Sequence, residues 1–249
     1  MIGIVGGMGP LAGLDIFRKI IGETPGVSDQ EHPSVLLFSL PSQIPDRTQY
    51  LLGMEKTNPA FAISEIILKL EKAGARVVGI PCNTAHSPEI FDIIREELRV
   101  RGSKLELLNL IEVATEYVKH QFPGKKIGVL STTGTRKTGL YRNALEKAGL
   151  EVKEPDDDWQ QRIHAAVYDT GYGIKAKSSP VTAKAIEELN LAIGQLKEKG
   201  AEAILLGCTE IPLAITEVEI YGLPIIDPNK LLAKALLEKL GTDLRSAHH

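Results

Sequence analysis

Lys72-Ala73-Gly74-Ala75-Arg76-Val77-Val78-Gly79-Ile80-Pro81-Cys82-Asn83-Thr84 reads as a helix end, a glycine turn, a short strand and a polar turn carrying a cysteine. The same order returns 126 positions later in Glu198-Lys199-Gly200-Ala201-Glu202-Ala203-Ile204-Leu205-Leu206-Gly207-Cys208-Thr209. A second pair repeats at almost the same interval. Ile2-Gly3-Ile4-Val5 followed by Gly9-Pro10 matches Ile127-Gly128-Val129-Leu130 followed by Gly134-Thr135, an offset of 125. Two independent pairs with nearly one spacing predict two similar α/β halves.

The rest of the chain extends this pattern. Strands are expected at Ile2–Val5, Val35–Leu40, Val77–Ile80, Leu105–Leu108, Ile127–Leu130, Ala203–Leu206 and Pro224–Ile226. They are short, unbroken and apolar, as strands covered on both faces should be. Helical periodicity covers Leu11–Ile21, Pro59–Ala73, Ser87–Val100, Glu112–Gln121, Thr138–Ala148, Thr182–Lys199 and Asn229–Leu240. Gly74 and Gly200 stand where a helix C-cap glycine belongs. Strands alternating with helices imply parallel sheets built from βαβ units.

Composition narrows the classes of function. The chain has 249 residues, 43% hydrophobic and 24% charged, with 29 Lys and Arg against 32 Asp and Glu. No basic excess marks a general nucleic-acid binder. No run approaches the roughly 18 apolar residues of a membrane helix. Met1-Ile2-Gly3-Ile4-Val5-Gly6-Gly7 lacks a basic leader and reads as a strand and a glycine turn, so a cytoplasmic protein is expected. Two cysteines form no disulfide framework, and no CxxC suggests a metal or redox site. The terminal Ser246-Ala247-His248-His249 is set apart as an expected appendage.

The cysteines carry the chemistry. Each follows the carboxyl end of an expected parallel strand, where ligands bind in open α/β sheets. Each is also expected at the N-terminus of the next helix, which would lower the thiol pKa. A core cysteine sits within a strand, whereas these stand beside Asn83-Thr84 and Thr209-Glu210. Halves related by a pseudo-twofold would set two thiols on opposite sides of one cleft. That suits racemisation, in which one face of a carbon loses a proton and the other gains one. Hydrolysis would want a Cys–His pair; His86, one turn from Cys82, reads better as a capping or packing residue.

Five motifs in order resemble the cofactor-independent aspartate/glutamate racemase family, the aspartate branch most of all. They are Gly6–Ala12 (Gly-Gly-Met-Gly-Pro-Leu-Ala), Ile44–Thr48 (Ile-Pro-Asp-Arg-Thr), Pro81–His86 (Pro-Cys-Asn-Thr-Ala-His), Thr132–Thr135 (Thr-Thr-Gly-Thr) and Gly207–Glu210 (Gly-Cys-Thr-Glu). The similarity runs from Ile2 to about Leu240. It implies two pseudo-symmetric three-layer α/β domains with mainly parallel sheets, the active site in the cleft between them, and a homodimer. The expected division is residues 1–108 with 222–249, and 109–221.

The resemblance also assigns roles. Cys82 and Cys208 are the expected catalytic pair, with no metal and no cofactor. Arg47, whose rigid fork grips carboxylates, is the expected clamp on the side-chain carboxylate of an acidic amino acid, with Lys175 as a second cation. The chain departs from the family by having Lys177 after Lys175-Ala176, which leaves Lys177 a rival. Asn83, Thr84 and Thr209 are expected to hold the α-carboxylate, Thr135 to contact substrate, and Met8 to approach it through its backbone. Thr132 and Thr133 read equally as helix caps. Glu210 reads as a group that could orient or discharge the Cys208 thiol, but it is left off this set, because a first-turn glutamate is favourable on dipole grounds alone.

Other readings compete. Gly7-Met8-Gly9-Pro10-Leu11-Ala12 fits a loose dinucleotide pattern, but the second strand ends Phe38-Ser39-Leu40 without the carboxylate that grips a ribose. Malonate decarboxylation, maleate isomerisation and hydantoin racemisation use similar scaffolds. Arg47 with Lys175 suits a second carboxylate that a hydantoin lacks. A non-catalytic sensor of acidic amino acids would need the anion contacts but not two thiols.

Overall fold

The computed structural model describes residues 1–246, with side chains as far as Gly241; His248 and His249 lie outside the described residues. The chain divides into two compact units, one of Met1–Val113 with the chain from Asn229, the other Ala114–Pro228.

In the first unit, β1 (Ile2–Gly6), α1 (Pro10–Glu23), β2 (Val35–Ser39), α2 (Arg47–Leu51), α3 (Pro59–Lys72), β3 (Val77–Gly79), α4 (Pro88–Val100) and β4 (Glu106–Leu107) alternate; α5 (Leu110–Gln121) begins in this unit and ends in the second. The sheet is parallel, in the order β2-β1-β3-β4. Alternate strand residues face opposite layers. Val5, Val78 and Ile80 pack with Ile63, Ile67, Leu70, Ile90 and Ile94 of α3 and α4. Ile2, Ile4 and Val77 pack with Ile16 and Ile20 of α1 and with Leu110 of α5. Three layers result.

In the second unit, β5 (Lys126–Ser131), α6 (Thr133–Lys137), α7 (Leu140–Lys147), β6 (Glu151–Lys153), α8 (Asp157–Tyr168), α9 (Ala183–Glu198), β7 (Ala203–Gly207), β8 (Glu219–Ile220) and β9 (Leu223–Ile226) follow. Its sheet runs β6-β5-β7-β9-β8, parallel except for the antiparallel β8–β9 pair. One face packs Leu130, Ile204 and Leu206 against Ile163 and Val167 of α8 and Leu189, Ile193 and Leu196 of α9. The chain then returns to the first unit through α10 (Pro228–Ser246), whose Leu232, Ala233 and Leu236 complete the core around Ile2 and Ile4.

Register supports the repeat. Ile2 pairs with Val77 in the first sheet, and Ile127 with Ala203 in the second. Gly3 and Gly128 occupy the same slot in each. A Cβ on Gly3 would lie 2.8 Å from Val78 Cγ2 and 3.1 Å from Ala75 Cβ. One on Gly128 would lie 2.6 Å from Ile204 Cδ1 and 3.0 Å from Ala201 Cβ. Glycine stands at both because the neighbouring strand leaves no room.

Three expectations change. The helix expected over Thr138–Ala148 is α7, which starts after Gly139, whose φ of 63° is left-handed and suits glycine; the short α6 before it lies outside the expected helices. The strand at Val35–Leu40 is an edge strand with half-buried side chains rather than one covered on both faces. Neither cysteine opens an α-helix. A single 3-10 turn, Asn83–His86, follows Cys82, with α4 beginning only at Pro88, and another, Ile211–Leu213, follows Cys208. Pro88 and Pro212 lack the N–H that would extend a helix back to either cysteine.

Candidate active site

In the first unit, Gly7 turns the chain after β1 with φ of 94°; a Cβ there would lie 2.9 Å from the backbone nitrogen of Pro41. That turn presents Met8, which is buried. The loop after β2 places Asp46 as the cap of α2, its carboxylate accepting from Gln49 N, so Arg47 leads the helix. Arg47 is buried, donating from Nη1 to the Pro45 carbonyl at 3.2 Å and from Nη2 to the Met8 carbonyl at 3.4 Å. Two backbone oxygens thus fix the guanidinium. α2 packs on the Asn83–His86 turn, bringing Arg47 to the element that carries Asn83 and Thr84. Cys82 shares a buried cluster with Met8, Ile44 and Ile80. Its Sγ lies 3.5 Å from Thr84 Oγ1.

His86 is not a base for Cys82. Its Nε2 lies 3.0 Å from the Ile80 carbonyl, which can only accept, so the Nε2–H donates. Burial outweighs that bond and pushes the imidazole pKa down to about 4. The ring packs on Phe91, 4.8 Å between centroids. His86 ties the turn to the end of β3.

In the second unit, Cys208 follows β7 and is buried. Its Sγ donates to Glu210 Oε2 at 3.1 Å, and Lys175 Nζ donates to Glu210 Oε1 at 2.5 Å. Thr209 Oγ1 donates to the same Oε2 at 3.5 Å. Burial and then the Glu210 charge push the Cys208 thiol well up, against the pull of Lys175. Sequence reasoning expected the thiol lowered by a helix terminus; no α-helix is there, and a carboxylate stands beside the sulfur instead. For Lys175, burial opposes the charge, but the Glu210 carboxylate overcomes it and raises the ammonium above its ordinary range. Lys177 is exposed and outside this pair.

Thr135 is buried in α6, its carbonyl accepting from Thr138 Oγ1 at 3.0 Å. Thr132 precedes α6 but gives no side-chain cap. Glu210, which the sequence offers as a partner of the Cys208 thiol but equally as a helix-start glutamate, stands beside that sulfur. Two neighbours escape sequence reasoning. Tyr141 of α7 is fully buried, its hydroxyl pKa raised by burial and then by the charges of Asp227 and Cys208. Gln160 of α8 donates to the carbonyl of Ser131, at the end of β5, at 2.8 Å. Neither lies near a cysteine in sequence. Among the described residues, no group of three or more His, Cys, Asp and Glu side chains could hold a metal ion.

The arrangement within each unit is a buried thiol beside polar and cationic groups suited to anions. Known proteins share the frame. The solved structure of Picrophilus torridus aspartate racemase is 30% identical, covers 96% of this chain and 94% of its own, and superposes with a TM-score of 0.79. An aspartate racemase homologue from Pyrococcus horikoshii, 23% identical over 95% of this chain and 97% of its own, shares the fold with a TM-score of 0.73. The broad specificity amino-acid racemase RacX of Bacillus subtilis is 29% identical, covering 94% of this chain and 96% of its own. A family model for Asp/Glu/hydantoin racemases matches residues 5–236. With nearly its whole length matched, the chain belongs to the Asp/Glu/hydantoin racemase family.

Proposed function

We propose that this protein is a cofactor-independent amino-acid racemase that interconverts L- and D-aspartate by proton transfer between two thiols. The observation that carries the reading is the equivalence of Cys82 and Cys208. Both follow the matching strand, β3 and β7, of two sheets that share the order of four strands, β2-β1-β3-β4 and β6-β5-β7-β9, with matching register at the central pair. One cysteine acts as thiolate and takes the α-proton, leaving a carbanion delocalised into the α-carboxylate. The other delivers a proton to the opposite face. The roles exchange with direction, Cys208 serving the L-enantiomer and Cys82 the D-enantiomer. No electron-sink cofactor enters this scheme.

Asn83, Thr84, Thr135, Thr209 and the backbone around Met8 hold the amino-acid head group. Arg47 and Lys175 take the side-chain carboxylate, in a homodimer. A chiral chromatographic time course on L-aspartate, L-glutamate and neutral amino acids, with nothing added, tests this. Racemisation of aspartate supports it; binding without loss of optical purity makes the protein a sensor.

A second reading has its own observation. Lys175 is already neutralised by Glu210, which weakens selection for a second carboxylate and fits a broader substrate range, as in the name of the Bacillus relative. Neutral amino acids turning over at kcat/KM comparable to aspartate would favour it.

A further inference from the structure

Asn58 makes three hydrogen bonds from one short side chain. Its Oδ1 accepts from Ala60 N at 2.9 Å, which caps α3. Its Nδ2 donates to Tyr50 Oη at 2.9 Å and to the Glu89 carbonyl at 3.0 Å. Ala60 N–H can only donate and the Glu89 carbonyl only accept, so the amide has one orientation. Three helices meet at this group: Tyr50 lies in α2, Ala60 in α3 and Glu89 in the first turn of α4.

A helix of 5 residues, as α2 is, has no stability of its own, so tertiary contacts decide where it sits. Asp46 fixes its start, accepting from Gln49 N at 2.8 Å. The Asn58 bond to Tyr50 fixes its last turn, and the Tyr50 ring packs on the buried cluster that holds Met8 and Cys82. Arg47 stands one turn before Tyr50. The Pro45 and Met8 carbonyls accept from its fork at 3.2 and 3.4 Å, at or beyond the long end for such bonds. A small slide of α2 breaks them. On the other side, the Asn83–His86 turn moves with α4: the Ser87 carbonyl accepts from Phe91 N at 2.8 Å, and the Phe91 ring lies 4.8 Å from that of His86.

We propose that the Tyr50–Asn58–Glu89 bridge is a specificity-determining strut, which fixes the spacing between Arg47 and the Asn83–Thr84 turn and so the length of side chain accepted. This rests on the racemase reading, in which Arg47 takes the side-chain carboxylate while Asn83 and Thr84 take the head group. Aspartate and glutamate differ by one methylene between those two ends. A fixed spacing suits one of them; a loose spacing discriminates less. Tyr50 and Asn58 are positioning residues, acting through Arg47.

Tyr50→Phe removes only the accepting oxygen and keeps the ring in its cluster. Asn58→Ser keeps a cap for α3 but is too short to bridge to Tyr50 or Glu89. Each raises the aspartate KM about fivefold, the scale of one hydrogen bond, with kcat within about twofold of native. The ratio of aspartate to glutamate kcat/KM falls by a similar factor. Loss of stability alone would lower the unfolding midpoint and leave that ratio unmoved. A ratio within about twofold of native, or a rising one, overturns the proposal. In an Arg47→Ala background, Tyr50→Phe changes nothing further, because the group it positions is gone; an additive loss overturns the proposal as well. Native aspartate kinetics in Arg47→Ala defeat the clamp and the strut together. A crippled Arg47→Ala beside a native-like Tyr50→Phe defeats the strut alone. If the native chain racemises no amino acid, the racemase reading fails on its own, and calorimetric affinities for aspartate and glutamate supply the ratio; binding of neither defeats both.

Discussion

Arg47 reaches back 39 positions in sequence to donate from Nη2 to the carbonyl oxygen of Met8 at 3.4 Å. The bond joins the loop after β2 to the glycine turn after β1, so the guanidinium is positioned before any ligand arrives. A pre-positioned fork loses little entropy on gripping a carboxylate.

Arg47→Ala should therefore harm acidic substrates selectively, costing about 2–5 kcal/mol in kcat/KM for aspartate if the pair is desolvated. Arg47→Lys should recover only part, because an ammonium cannot reproduce the fork. Unchanged aspartate kinetics in Arg47→Ala would show that this side chain serves only to hold the turn.

The two cysteines should fail in opposite senses. Cys82→Ser and Cys208→Ser should each nearly abolish racemisation, since a hydroxyl is a far poorer base than a thiolate. Each variant keeps one thiol, so in deuterated water it should exchange the α-proton of one enantiomer faster than it inverts it. The preferred enantiomers should differ between the variants. Racemisation within about threefold of native in either, less than ~1 kcal/mol of barrier, would rule out the two-thiol scheme.

His86 should make stability depend on acidity. Its folded pKa of about 4 lies below the ordinary 6.5. Between these values the unfolded chain binds a proton that the folded chain refuses, so stability falls as pH falls through that window. The full effect is about 3 kcal/mol. Urea unfolding at several pH values, compared between native and His86→Phe, should show the step only in the native chain. Parallel pH curves would mean that His86 is protonated in the fold.

Gly3→Ala and Gly128→Ala should destabilise by similar amounts, about 1–3 kcal/mol each, as overpacking does. The reason is shared: both added methyls meet the adjacent strand and an alanine in the turn before it. Denaturant midpoints of the two variants would test this, and a native-like midpoint in either would show that its strand yields.

Legibility in the sequence followed burial. The central strands β1, β3, β5 and β7 are buried throughout apart from Lys126, and unbroken apolar runs announce them. β6 reads Glu-Val-Lys and β8 reads Glu-Ile; both are sheet edges, where one side meets solvent and charge is tolerated. α8 begins Asp157-Asp158-Trp159-Gln160 and buries only Gln160, Ile163, Ala166 and Val167, too sparse an apolar stripe to stand out. At the site, Cys82 and Cys208 were legible because each follows a recognisable strand. The Glu210–Lys175 pair was not, because 35 positions separate its members and only the folded second unit brings them together.

The passage of the chain out of the first unit and back through α10 has a consequence for biosynthesis. Domains generally fold in the order in which they leave the ribosome. Here the sheet made first must wait for Leu232, Ala233 and Leu236 to cover Ile2 and Ile4, while the second unit has all its residues once Pro228 is made. The part translated earliest is finished last. Until then its nascent face of isoleucines stays open, a surface for chaperones to hold.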